Sequence, residues 1–415
     1  MRPLRHWWAQ VVAGGLLAAA CTRLPSDLAS LGGNGGSAGP SAMLASSASP
    51  VVPGNAVEIL VDGPQIFSSM LAAVRSASHT ITYEPFAYKD GEISRTFAEA
   101  LAERCHAGVA VHILIDGFSV RWMPLATRKM LEAAGCELVV FRPLEFTHLR
   151  TLNARSHRRI LVVDGRVGFA GGSVVALGWL EEIDNGKRLR ETDIRVEGPA
   201  VEWLQRAFAR LWTEATGRTL GGAGYYPALD AIGPAAVQIV DSAPRDGDYG
   251  AYALYMQAIM AARRSIRITN QYLVLDDRMA AALRDAVSRG VRVDIIVPGA
   301  STNPLLLAAT RVRLDRLLLG GVNVHAYGPR SLHAKTMVVD GTWATVGSTN
   351  LDPRSFEINE ELNVATPDDA VAARLDAIFR DDLVSTTTIT YEAWTRRSLW
   401  IRLLGYLTLP IRSQL

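Results

Sequence analysis

The chain has 415 residues, of which 49% are hydrophobic and 20% charged, with a formal net charge of +2 at pH 7. That size and apolar content suffice to bury two cores, and so small a charge excludes an extended nucleic-acid footprint. Three scattered cysteines, with no HExxH and no paired-Cys spacing, leave no signature of a metal cage; neither metal nor cofactor is expected.

At the start, Arg2 and Arg5 precede an apolar stretch from Trp7 to Ala20. It falls short of the roughly 20 residues that a membrane helix needs, so residues 1–20 read as a signal peptide. Leu17-Ala-Ala-Ala-Cys21 resembles a bacterial lipoprotein processing site, with Ala18 where Leu is usual. That likeness implies lipidation of Cys21 and a place in the bacterial cell envelope, membrane-anchored on the periplasmic face. Ordinary cleavage or an uncleaved anchor stays open as the alternative. Residues 21–54, rich in Gly, Ser and Pro, read as a flexible tether.

Beyond residue 55, short apolar strands alternate with helices, and the order occurs twice. Ile81-Thr-Tyr-Glu-Pro-Phe86, a helix near 93–107 and Ile113-Leu-Ile-Asp-Gly117 have counterparts in Ile268-Thr-Asn-Gln-Tyr272, a helix near 278–289 and Ile295-Ile-Val-Pro-Gly299. Such alternation predicts an α/β fold with a largely parallel sheet covered on both faces, one lobe over 55–225 and the next over 226–390. Cys105 and Cys136 each end a helix just before a strand; a disulfide and two buried thiols are both open. Phe118, Trp122 and Met123 follow Asp116-Gly117 as a loop suited to touching lipid. Arg150, Arg155, Arg158 and Arg159 cluster as either a phosphate-facing or a solvated basic face.

The chemistry is concentrated in one duplicated run. His157-Arg-Arg159, Asp164 and Gly171-Gly172-Ser173 recur as His333-Ala-Lys335, Asp340 and Gly347-Ser348-Thr349-Asn350, with seven residues from His to Asp and seven from Asp to Gly in each. On a strand, residues two apart share a face, so each imidazole has a cation beside it. Phosphodiester transfer needs a nucleophile, a proton donor for the leaving oxygen, and positive charge where the phosphoryl oxygens gather negative charge. Two His residues divide the first two tasks; Lys335 and Arg159 supply the third. Asp164 and Asp340 each precede Gly, which is turn chemistry, with direct catalysis as the alternative role.

This pattern resembles the phospholipase D superfamily, motif H-x-K-x4-D-x6-G-S-x-N, in its bacterial cardiolipin synthase-like branch. The resemblance covers roughly residues 55–410 and implies two similar α/β/α lobes about a pseudo-twofold axis, with the site between them. It implies His157 as nucleophile, His333 as acid, and phosphate binding by Ser348 and Asn350 and, in the first copy, by Gly172 and Ser173. Glu361, in Asn359-Glu-Glu-Leu-Asn363, matches the family's imidazole-orienting carboxylate. Laying Val196-Glu-Gly-Pro199 over Val364-Ala-Thr-Pro367 pairs Asp193 with it. Arg159, Gly172 and Val174 stand where the motif has Lys, Ser and Asn, which implies an asymmetric site.

Residues 391–415 interleave Arg396, Arg397, Arg402 and Arg412 with Trp400, Leu403 and Tyr406, the pattern of an interfacial helix or of a helix docked on the enzyme's own core. The partners implied are a phospholipid substrate resembling phosphatidylglycerol and a membrane surface, with no nucleic acid; oligomeric state is not legible. Three classes remain: a phosphatidyltransferase of cardiolipin synthase type, a hydrolase of the same mechanism, and a catalytically impaired lipid-binding protein.

Overall fold

The computed structural model describes residues 49–144, 153–176, 189–299 and 314–396. The signal peptide, Cys21, nearly all of the tether, Arg150 and most of the C-terminal tail lie outside the described residues.

The first half contains β1 (Val51–Val61), α1 (Asp62–Ser76), β2 (Thr80–Glu84), α2 (Glu92–His106), β3 (Ala110–Asp116), α3 (Leu125–Ala133), β4 (Glu137–Phe141), β5 (Ile160–Val163), β6 (Val167–Ala170), β7 (Thr192–Glu197) and α4 (Val201–Thr216). The second repeats that order as β8 (Ala235–Ser242), α5 (Gly250–Ala261), β9 (Ser265–Asn270), α6 (Asp277–Ser288), β10 (Arg292–Pro298), α7 (Leu314–Leu319), β11 (Asn323–Tyr327), β12 (Lys335–Val339) and β13 (Trp343–Gly347). It closes with α8 (Pro353–Glu357), β14 (Glu361–Thr366), α9 (Asp369–Val384), β15 (Thr386–Thr388) and α10 (Tyr391–Thr395). β1 begins at Val51, inside the segment expected to be tether, because Val51 and Val52 pair with Gln238 and Val237.

All fifteen strands form one sheet, ordered β15-β11-β10-β9-β12-β13-β14-β8-β1-β7-β6-β5-β2-β3-β4. Apart from β15 the order reads the same from either end. The antiparallel β1–β8 pair at the centre therefore lies on the pseudo-twofold axis, and the two lobes share a continuous sheet. Parallel pairing, expected from strand–helix alternation, occurs in the outer three strands of each half, β2-β3-β4 and β9-β10-β11. The inner strands run antiparallel, and two-residue turns join β5 to β6 and β12 to β13.

Those turns settle the roles of Asp164 and Asp340. Asp164 and Gly165 have φ of 52° and 61°, and Asp340 and Gly341 have 55° and 70°, while Arg166 N–H and Thr342 N–H close back on Val163 and Val339. Two successive residues at positive φ make the mirror-image turn that matches hairpin twist, and Asp-Gly is its preferred dipeptide. Each carboxylate then caps a neighbouring strand. Asp164 accepts from the N–H groups of Ser78, His79 and Thr80 at 2.7–2.8 Å; Asp340 accepts from Arg263, Arg264 and Ser265 at 2.7–3.2 Å. Both lie at the far end of their strands from the His residues, which fits the turn role and removes them from the catalytic set, the alternative.

Period-two alternation builds three cores. Leu161 and Val163 of β5 face a cluster under α1 and α2. Met337 and Val339 of β12 face its equivalent under α5 and α6. Ile160, Val162 and Val338 point the other way, into a third cluster shared by both halves with Leu204 of α4 and Leu375 of α9. This shared core fixes one lobe on the other. Cys105 and Cys136 form a disulfide between the ends of α2 and β4's lead-in. Met123 is buried in the first-half core, so of the loop residues expected to meet lipid only Phe118 and Trp122 remain partly exposed. Among the described residues no helix is long and apolar enough to cross a membrane.

Candidate active site

Each His precedes its strand rather than lying on it, β5 starting at Ile160 and β12 at Lys335. The two segments are held by the opposite half. Ser156 bridges Glu360 in parallel fashion and His157 N–H donates to Glu360 O at 2.9 Å. Leu332 likewise bridges Arg190, and His333 N–H donates to Arg190 O at 2.9 Å. One residue further along each partner segment is a buried carboxylate. His157 Nδ1 lies 2.9 Å from Glu361 Oε1; His333 Nδ1 lies 2.5 Å from Glu191 Oε2. The halves thus exchange carboxylates across the axis.

Glu191 corrects the expected pairing of Asp193 with an imidazole. β6 pairs Ala170 with Ile194, and β13 pairs Val346 with Val364, so Ile194 matches Val364 and Glu191 matches Glu361. Asp193 instead accepts Gly172 N–H at 3.0 Å and the hydroxyl of Ser173. Those bonds turn Gly172 and Ser173 away from phosphate binding. Ser348 is committed as well, its hydroxyl donating to Glu361 Oε2 at 2.5 Å and accepting Leu362 N–H at 2.9 Å. It braces the carboxylate that braces His157. Of the four expected phosphate ligands, Asn350 alone keeps a buried side-chain oxygen with no partner among the described residues. Val174 packs against the first-half core.

The cations are held differently in the two halves. Lys335 Nζ lies 3.2 Å from Gln271 Oε1 and 3.1 Å from His333 Nδ1. Arg159 lies with its guanidinium 4.8 Å over the Phe86 ring, while Phe86 sets its edge against His157 at 4.8 Å. Bridges from Tyr88 to Val175 and from Leu273 to Leu351 put Phe86 and Gln271 in equivalent places. Lys with an amide is therefore exchanged for Arg with an aromatic face, a matched replacement. Arg155 and Arg158 do not form a basic surface: both are buried, Arg158 ion-paired to Glu84 at 2.6 Å and Asp241 at 2.7 Å. A partly buried relay of Arg142, Glu360, Arg210 and Asp241 anchors the segment whose carbonyl holds His157.

Burial, and then the charges of Arg159 and Lys335, push the His157 imidazole well below its ordinary pKa. Burial followed by Lys335 and Arg159 does the same to His333. Both shifts favour the neutral ring while no anionic substrate is bound. With Nδ1–H donated to a carboxylate, the other nitrogen carries the lone pair, and at His157 Nε2 accepts from Arg159 at 3.1 Å. Burial lowers Lys335 to about 8 and Arg159 to about 10, and raises Glu361 and Asp193 to about 7.

Sequence reading missed Glu191, Phe86 and Gln271. A Cβ on Gly172 would lie 2.4 Å from Glu191 Oε2, so the Gly that replaces the motif's Ser leaves room for this carboxylate. Gly172→Ala is expected to push Glu191 off His333 and lower kcat about 100-fold, the usual cost of an ångström-scale misplacement. Steady-state kinetics check it; an unchanged kcat would mean that Glu191 shifts freely.

Residues 255–383 match the family described as cardiolipin synthase, PLD-like domain. The chain is 32% identical over 352 residues to the major cardiolipin synthase ClsA of Bacillus subtilis, covering 84% of this chain and 73% of that protein. It is 33% identical over 359 residues to cardiolipin synthase A of Pseudomonas aeruginosa, covering 86% and 72%. Among solved structures, phosphatidylserine synthase of Haemophilus influenzae matches with a TM-score of 0.71 over 90% of this chain and 97% of that chain. At 12% identity this likeness speaks for the fold alone.

Proposed function

Because the chain belongs to the cardiolipin synthase family, we propose that it is a phosphatidyltransferase that moves a phosphatidyl group from one phospholipid to the alcohol of another through a phosphohistidine. The observation that carries this mechanism is the exchange of carboxylates: Glu361 and Glu191 occupy Nδ1 of His157 and His333, so each imidazole is oriented by the opposite half through the same nitrogen. We place the nucleophile at His157, where Arg159 already stands at the nitrogen to which phosphorus would bond.

His157 Nε2 attacks the donor phosphorus, and the P–O bond to the first alcohol breaks as His333, protonated at Nε2 when the anionic phosphodiester is bound beside it, gives that oxygen its proton. Lys335 and Arg159 hold the charge gathering on the phosphoryl oxygens. The acceptor hydroxyl then returns a proton to His333 and attacks phosphorus, and the P–N bond breaks. Water in place of the alcohol would make the same site a hydrolase. Phosphatidylglycerol liposomes with the purified protein test the reading. Mass analysis is expected to show cardiolipin and free glycerol, whereas phosphatidic acid alone would assign the hydrolase.

The pH profile follows from the charged partners. Glu361 orients His157 only when ionised, above about 7, and Lys335 is charged only below about 8. We expect kcat/KM to rise through the first value and fall beyond the second, as these constants report the free enzyme. Lys335→Arg keeps its charge and should move the upper arm to higher pH. An upper arm that does not move would assign it to another group.

We also propose a lipoprotein at the periplasmic face of the bacterial envelope. The Arg2-to-Cys21 pattern supports this, as does the Cys105–Cys136 disulfide, which persists in oxidising compartments. Metabolic labelling with a radioactive fatty acid should mark the wild type and not Cys21→Ser. An unlabelled wild type would remove the lipid anchor.

A further inference from the structure

Two cations outside the motifs stand at the edge of the site on the first-half side. Lys89 lies three residues beyond Phe86, and its N–H donates to Val175 O at 2.7 Å, next to the motif residue Val174. Its ammonium lies 4.9 Å over the Trp122 ring. Arg121 sets its guanidinium 3.8 Å over Phe118 and 5.2 Å over Trp122, and the two rings meet edge to face at 5.2 Å. Asp116 fixes this loop to the site, accepting Phe118 N–H at 2.8 Å through Oδ1 and Ser156 N–H, beside His157, at 3.1 Å through Oδ2.

We propose that Lys89 and Arg121, braced on Trp122 and Phe118, form a second anion subsite that takes the phosphodiester of the acceptor lipid. This rests on the transferase reading above and adds to it the place where the acceptor is recognised.

Neither cation has a carboxylate partner among the described residues, whereas Arg142, Arg158, Arg190 and Arg210 are each paired. Cations set on ring faces keep their outward N–H groups for an anion. Burial alone depresses both groups, a cost that a bound anion relieves. The charge of Lys89 reaches the reaction centre, since it helps lower His333. At the Lys89 position the two halves differ. Val274 N–H donates to Leu351 O as Lys89 N–H does to Val175 O, so the second half places Val274 where the first has Lys89. Two substrates in different roles require such a difference: the donor phosphorus sits between the imidazoles, and the acceptor must present a hydroxyl while its own phosphate is held apart. Exposed Leu125 flanks the loop, an apolar neighbour for acyl chains.

The test uses the full chain in mixed micelles of phosphatidylglycerol and neutral detergent, with ethanol as a competing acceptor that carries no phosphate. The readout is the ratio of cardiolipin to phosphatidylethanol, in which folding and donor chemistry cancel. In K89Q/R121Q the ratio should fall about tenfold, the scale of a lost charge-assisted hydrogen bond, and in K89R it should stay near wild type. An unchanged ratio in K89Q/R121Q overturns the subsite, as does an equal fall in K89R. If the wild type makes neither product, the transferase reading itself fails.

Discussion

His157→Ala and His333→Ala are each expected to cut turnover by about 10⁴-fold or more, because attack on phosphorus and proton delivery to the leaving oxygen fall to different residues and neither has a substitute. Each ring has a carboxylate at Nδ1 and a cation within 3.1 Å. Asn350, whose side-chain oxygen has no partner among the described residues, is neither nucleophile nor acid. Product formation by mass, with melting temperatures to confirm folding, checks the pair. Turnover above a tenth of wild type in either variant would end the two-imidazole mechanism. A phosphorylated peptide containing residue 157, trapped from wild type, would place the covalent bond.

Glu191→Gln should lower kcat by about 10²–10⁴-fold, and Glu361→Gln by a similar factor. An amide at that position no longer stabilises the imidazolium formed in proton transfer, and it can donate its own N–H to Nδ1 and invert the tautomer. Asp193→Asn should cost less than about tenfold, since an amide oxygen still accepts from Gly172 and a neutral hydrogen bond is worth about 1 kcal/mol. Steady-state kinetics on the three variants decide it. A larger loss in Asp193→Asn than in Glu191→Gln would return the orienting role to Asp193.

The confusion of these two residues shows where sequence stops being informative. The paired motifs were legible because equal spacing survives duplication: seven residues from His to Asp and seven more to Gly in both copies. Overlaying Val196 on Val364 slipped the register by two. In a strand such a slip returns every apolar side chain to the same face, so Ile194 and Val196, both in the shared core, gave the pattern nothing to object to. Only the ladder partners separate them. The exchange across the axis left no spacing to read, because His157 and Glu361 are 204 residues apart.

Hydroxyl direction was equally silent. Ser348 and Ser173 are small donors beside a phosphate site, yet each turns back to a buried carboxylate. By contrast, the antiparallel inner strands were written in the chain. Asp164-Gly165 and Asp340-Gly341, each between apolar runs, are hairpin signals that the wider strand–helix alternation obscured. The replacement of Lys335 and Gln271 by Arg159 and Phe86 was half visible: the Arg was evident, and its aromatic support became meaningful only once the bridges aligned the two halves.

The carboxylate exchange has a consequence for the timing of activity. A polypeptide that has emerged only as far as its first half contains His157 but not Glu361, and a released second half contains His333 without Glu191. Neither fragment can set its own tautomer. Competence therefore arrives only once β14 has been made and closes beside the central strands. An enzyme able to cleave phospholipids is inert until both halves have been made and have folded together.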